Sequence, residues 1–198
     1  MYRNIIGGGA ALLMLVACAG DPDAELEVQE TPPAAEPAAS MDMATETLEA
    51  QATFINDQGT EIGTATLTEV SDGVRIDVDL AFLQAGERGF HIHETGTCET
   101  PDFQSAGGHF NPTDAAHGFE APEGPHAGDL ENLEVETDDG TARGVRTAEM
   151  VTLERGLPNS LFDTDGSALV VHSGPDDYSS QPSGDSGSRI ACGVIEPV

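Results

Sequence analysis

Residues 107–129 restrict the fold more than any other part of the chain: Gly-Gly-His-Phe-Asn-Pro-Thr-Asp-Ala-Ala-His-Gly-Phe-Glu-Ala-Pro-Glu-Gly-Pro-His-Ala-Gly-Asp. The interspersed Gly and Pro rule out a regular helix and call for a long, shaped loop. Loops beyond about 12–15 residues without structure of their own are usually functional or disordered. This one carries His109, His117, His126 and Asp129. Three imidazoles and a carboxylate suit a four-coordinate shell for a borderline divalent ion, zinc first. The bland alternative is a solvated loop that happens to contain histidine; a bound ion would supply the order such a loop lacks.

Around that loop the chain reads as short strands. Val74, Ile76, Val78 and Leu80 alternate with Arg75, Asp77 and Asp79, and Leu133 and Val135 alternate with Asn132, Glu134 and Glu136. Period-2 alternation marks half-buried strands. Turn signals separate the runs, at residues 56–59, Asp72-Gly73, 138–140 and Asp165-Gly166. Strands are predicted near 46–56, 60–70, 73–81, 88–94, 131–137, 141–148, 167–173 and 188–195. No stretch carries a helical period. The expected fold is all-β, an eight-stranded antiparallel barrel or sandwich. Long loops at about 95–130, 149–166 and 173–187 would carry the chemistry.

The two ends of the composition exclude some functions. The formal net charge is −29, with seven arginines and no lysine, so nucleic acid is excluded as a partner. Arg3 precedes an apolar run, residues 5–16, too short for a span of about 20 residues but suited to a secretion signal. The run ends Leu15-Val16-Ala17-Cys18, which resembles a bacterial lipobox. The expectation is a signal over residues 1–18, lipidation at Cys18, and attachment to a membrane surface outside the cytoplasm. Ala19 after the cysteine favours the outer membrane. Residues 19–44, rich in Pro, Ala and acids, are expected to be a disordered spacer, with a folded domain over 45–198. Lipidation also accounts for the odd cysteine of the three.

A second constellation lies on strands. In Phe90-His91-Ile92-His93 the two histidines share a face, while Phe90 and Ile92 point inward. His172 ends the apolar run Leu169-Val170-Val171 and can join them from a neighbouring strand. A copper site favours several imidazoles in a roughly square arrangement, so these three want a fourth nitrogen. The chain has six histidines, all already placed. Two shells then require one ring to serve both, and imidazole has two nitrogens. His109, nearest His93 in sequence, is the best candidate for that bridge.

At these residues the chain resembles the copper–zinc superoxide dismutases of the secreted bacterial kind. The matching segments are Gly89-Phe-His-Ile-His-Glu94, Gly108-His-Phe-Asn-Pro112, His117-Gly118, His126-Ala-Gly-Asp-Leu130, Leu169-Val-Val-His172 and Gly187-Ser-Arg-Ile-Ala-Cys-Gly-Val-Ile195. They run in family order through nearly all of residues 45–198. The resemblance implies a Greek-key barrel, with copper on His91, His93, His109 and His172. It implies zinc on His109, His117, His126 and Asp129. Asp176 matches a carboxylate linking His91 and His117, and such partners fix ring orientation. Arg189 matches an arginine that attracts superoxide beside copper. Ser183 aligns with a small hydroxyl residue at the channel mouth. Cys98 and Cys192 match an intrasubunit disulfide, worth roughly 4–5 kcal/mol in the chain-entropy account.

The activity implied is disproportionation of superoxide to dioxygen and hydrogen peroxide, protecting the cell envelope. The alternative is a non-catalytic protein of the same fold that stores or delivers copper or zinc. The family includes monomers and homodimers, and one chain leaves that choice open. The chain departs from eukaryotic relatives in having no lysine to steer the anion. Its third loop instead carries Asp176, Asp177 and Asp185.

Overall fold

Alternating apolar side chains lay the strands against one core. In a computed structural model the described residues are 47–136 and 140–198. The expected signal, Cys18 and the spacer lie outside the described residues. Nine strands follow in order: β1 (Glu49–Asn56), β2 (Glu61–Val70), β3 (Gly73–Leu80), β4 (Gly86–Arg88), β5 (Phe90–His93), β6 (Leu133–Val135), β7 (Ala142–Ala148), β8 (Ala168–His172) and β9 (Arg189–Pro197). One 3-10 turn, Gln104–Ala106, lies between β5 and β6. The expected strand over 88–94 is two strands. Gly89 separates them: its N–H donates to Gly174 O at 2.7 Å rather than to a strand, and a Cβ there would come within 2.8 Å of the Ser186 Cβ. β4 pairs with β6 in a small ladder of its own.

The main sheet is antiparallel, in the order β5-β8-β9-β1-β2-β3-β7. The last strand is thus beside the first, and the connections to β7 and β8 cross over, as in a Greek key. Val74, Ile76, Val78 and Leu80 of β3 are buried, as alternation requires. Ala50, Ala52 and Phe54 do the same from β1. Phe54 and Phe90 meet at 6.4 Å between ring centroids, and Leu67, Ile76, Leu130, Leu133, Leu161 and Leu169 complete the centre.

β5 and β8 are buried at every position. They have a second covered face because the long loops pack over it. Phe103, Ala106, Ala168, Val170 and Cys192 form a small apolar cluster there. The Cys98–Cys192 disulfide closes it, joining residues 94 apart in sequence with Cα atoms 5.6 Å apart.

Phe54 is fully buried in the main cluster. We expect Phe54→Ala to destabilise folding by about 3–5 kcal/mol. The urea midpoint should fall with an unchanged slope; an unshifted midpoint would contradict the assigned core.

Candidate metal centre

The centre is built on the edge of β5 that no named strand covers. The Ile92 N–H donates to Gly128 O and the Ile92 carbonyl accepts from Phe110 N, both at 2.8 Å. Single-residue bridges set Asp129 opposite His91 and His109 opposite His93. The 107–129 loop therefore docks as a partial strand and carries its ligand-type side chains with it. Period 2 turns His91 and His93 away from the core that takes Phe90 and Ile92. On the other edge β8 pairs with β5 and delivers His172. A register shift between Val171 and His172 lies opposite β9, the kind of irregularity that re-aims a side chain. His117 lies beneath the 173–187 loop. Gly118 permits this with φ of +92°, and a Cβ there would collide with the Tyr178 carbonyl.

Two groups of donor atoms result, and all the residues in them are buried. One is His91, His93, His109 and His172; the other is His109, His117, His126 and Asp129. His109 belongs to both. Within each group the atoms lie within 4.8 Å of one another. Asp176, His91 and His117 form a third cluster that links the two.

Hydrogen bonding decides which nitrogen each ring leaves free. His91 Nε2 donates to Asp176 Oδ2 at 2.7 Å, and its Nδ1 is buried without a partner. His93 Nδ1 donates to the Gly107 carbonyl at 3.0 Å, and His172 Nδ1 lies 3.3 Å from the Gly187 carbonyl. Their Nε2 atoms face each other at 3.4 Å. His109 Nε2 is also buried without a partner. Four lone pairs thus converge from β5, β8 and the loop.

On the other side, Asp129 Oδ1 lies 2.8 Å from His109 Nδ1, 3.1 Å from His117 Nδ1 and 3.3 Å from His126 Nδ1. A tetrahedral ion with bonds of about 2.0–2.1 Å to nitrogen has ligand–ligand edges of about 3.3 Å. These separations fit it. Asp129 Oδ2 is already used, accepting from Gly118 N at 2.8 Å and His126 N at 3.0 Å.

Protonation follows from burial and these partners. Burial pushes His172 down to about 3. It pushes His109 to about 4, the Asp129 carboxylate opposing only in part. Burial lowers His91 and His93 as well. For His117 burial acts the same way, but hydrogen bonds to Asp129 and Asp176 override it and raise the ring to about 9. Asp129 and Asp176 resist protonation despite burial, because each accepts hydrogen bonds from histidines. Four of the eight groups, His91, His93, His109 and His172, are thus neutral rings held ready as lone-pair donors.

A cleft of about 750 Å³ opens above His93, His109, His126 and His172, lined also by Ser183 and Arg189. Arg189 begins β9 opposite His172. Its Nη1 donates to Phe103 O at 2.6 Å and its Nη2 to Gly107 O at 2.5 Å. The disulfide ties the same loop to β9 and so reinforces that placement. The acids lining the cleft are Asp57, Glu94, Asp102 and Asp114. Of the third loop's acids, Asp176 is buried beneath the histidines, and Asp177 accepts from Ser179 N and Ser180 N within its own loop. Asp185 does not line the cleft.

Every histidine singled out from the sequence, with Asp129, Asp176, Arg189 and Ser183, is brought to this centre. The sequence reading missed its supports. Asn132 Nδ2 donates to Asp176 O at 3.0 Å, and its Oδ1 accepts from Asp176 N at 2.9 Å. Gln181 grips the backbone of His117. Neither is signalled by spacing, because amide side chains are common in loops and these reach across more than 40 residues.

Comparison with known proteins gives the same picture. A family profile described as copper/zinc superoxide dismutase (SODC) matches residues 61–195. The chain is 48% identical over 150 residues to Superoxide dismutase [Cu-Zn] 1 of Aquifex aeolicus, covering 75% of this chain and 88% of that protein. It is similar in structure to a SOD-like protein from Bacillus subtilis, with TM-score 0.70 and 42% identity, covering 73% of this chain and 96% of the other. It is also similar to Cu/Zn superoxide dismutase from Brucella abortus, with TM-score 0.60 and 29% identity, covering 75% and 99%.

The shifts fix how the metal-free protein responds to pH. An unfolded histidine titrates near 6.5. His109 and His172 bind protons more weakly when folded, so their contribution is full above that value and is lost as pH falls toward about 4 and 3. His117 binds its proton more tightly when folded, so its contribution is full below 6.5 and is lost as pH rises through about 9. We expect the metal-free Tm to peak at about pH 6–7 and to fall on both sides. The alkaline limb should shrink in Asp176→Asn. A metal-free Tm that climbs steadily from neutral pH into acid would contradict this.

Proposed function

The chain belongs to the copper/zinc superoxide dismutase family, whose members use copper and zinc, and we propose that this member disproportionates superoxide in the cleft beside Arg189. The observation that carries the reading is His109: one nitrogen faces Asp129 and the other is a partnerless buried atom on the side of His91, His93 and His172. In this reading His91, His93, His109 and His172 hold copper. His109, His117, His126 and Asp129 hold zinc, and His109 serves both.

When bound, copper would supply the one-electron chemistry that links two superoxide molecules, and zinc a fixed positive charge. The chain's own groups do the rest. Arg189 attracts the anion and orients it by hydrogen bonding. Its two carbonyl contacts, to Phe103 and Gly107, hold the guanidinium at the cleft wall. His109 Nε2 is the atom suited to hold a proton between the two half-reactions, since its ring stays fixed through Nδ1. The second superoxide takes up two protons and leaves as hydrogen peroxide; the first leaves as dioxygen. Asp176 holds His91 and His117 in the tautomers that point the remaining nitrogens inward. Burial of the rings excludes other ligands from all but the cleft side.

The same reading places the protein in the cell envelope, exported and acylated on Cys18, with superoxide of that compartment as substrate. Support comes from the apolar run and lipobox of the sequence and from a disulfide, which persists in oxidising compartments. Cys18→Ser should release the protein from the membrane fraction of the producing cell. Equal membrane retention of this variant would remove the anchor from the proposal.

Arg189→Ala should lower kcat/KM by at least about tenfold while copper and zinc content stay unchanged. An unchanged rate would remove Arg189 from its proposed role, and wild-type protein that binds both metals yet removes no superoxide would favour one that only stores or delivers them. Among the described residues Arg189 is the one cation lining the cleft, against four acids. The net charge of −29 repels the substrate at long range. Added salt screens that repulsion more than the short-range attraction. Turnover should therefore stay flat or rise with ionic strength, and a steep fall would contradict the assigned field.

A further inference from the structure

The 173–187 loop does more than wall the cleft. Its segment 176–181 meets residues 117–120 at four places. Asp176 Oδ1 accepts from His117 Nε2 at 3.0 Å. Tyr178 O accepts from Glu120 N at 3.0 Å, and the Tyr178 and Phe119 rings lie 5.6 Å apart. The fourth contact is a paired one. Gln181 Oε1 accepts from His117 N at 2.9 Å, and Gln181 Nε2 donates to His117 O at 2.9 Å. The same Nε2 donates to Ser179 O at 3.0 Å, which fixes the amide from its own loop.

A primary amide that bonds both N–H and C=O of one residue acts as a strand partner would. It fixes the two peptide planes on either side of His117, and with them the direction of its Cβ. The other loop donors have different anchors. His109 and Asp129 are held through bridges to β5, and the His126 N–H is held by Asp129 itself. His117 lies in no strand and faces no bridge; Gly118 N holds the following peptide by donating to Asp129 Oδ2 at 2.8 Å, and Gln181 is the side chain that bonds both the N–H and the C=O of His117.

We propose that Gln181 is a positioning residue for zinc, holding the main chain of His117 so that Nδ1 stays in the tetrahedral set. The inference rests on the assignment of zinc to His109, His117, His126 and Asp129. Gln181 is exposed, so water competes for its bonds and the effect falls at the low end of those known for groups that orient metal ligands.

The test uses the full chain loaded with copper and zinc, and compares wild type, Gln181→Ala and Gln181→Glu. Zinc and copper release to excess chelator are timed separately, and cobalt(II) placed in the zinc site reports its geometry by its visible bands. Gln181→Ala should release zinc about tenfold faster, shift the cobalt bands and leave copper release and the metal-free Tm unchanged. Gln181→Glu keeps the acceptor for His117 N and loses both donated bonds, so it should fall between. Unchanged zinc release in Gln181→Ala overturns the inference. So does equal acceleration of both metals with a lowered metal-free Tm, which is the mark of general loop packing. Wild-type protein that takes up no zinc overturns the parent assignment, and this inference with it.

Discussion

One carboxylate joins the two halves of the centre. Asp176 reaches His91 with one oxygen and His117 with the other, at 2.7 and 3.0 Å, and no water-exposed surface remains on its side chain. Each bond places a proton on the outer nitrogen of its ring and turns the inner nitrogen toward its donor set. Asn132 holds the carboxylate's own backbone by two further bonds. A displaced Asp176 would free both rings to rotate, and the donor sets would lose one member each. The chemistry therefore depends on a residue that need not touch either metal.

Burying six imidazoles and two carboxylates is costly unless every polar atom is satisfied. Here the protein gives the outer nitrogens of His91, His93, His117 and His172 an oxygen partner and leaves His91 Nδ1 and His109 Nε2 without protein partners. That pattern is unfavourable for the bare chain and favourable for a cation, so metal binding and local order are coupled. The strands tolerate the arrangement because the core on their opposite face is apolar and closely packed. The disulfide adds restraint where the loop carrying Gly107 meets β9.

Charge is divided by distance. The chain as a whole is strongly acidic, which favours solubility, while among the described residues Arg189 is the one cation that lines the cleft. Repulsion acts over the screening length and attraction over hydrogen-bonding distance. Selection of a small anion then falls to the cleft walls, where a guanidinium held by two backbone carbonyls has little freedom to follow a larger ligand.

The sequence by itself determined the strands of the apolar alternation, the two-histidine face of residues 90–93, and the need for a shared ring, because period, residue type and number are local or countable. The resemblance added Asp176, Arg189 and the Cys98–Cys192 pair. Only the tertiary structure decided the split at Gly89, the docking of the 107–129 loop on Ile92, and the amide grips of Asn132 and Gln181. These are contacts between segments far apart in the chain, made largely through backbone groups that every residue possesses. Backbone groups leave no mark in a sequence, so their pairing is fixed only when the packing of the core decides which segments lie side by side.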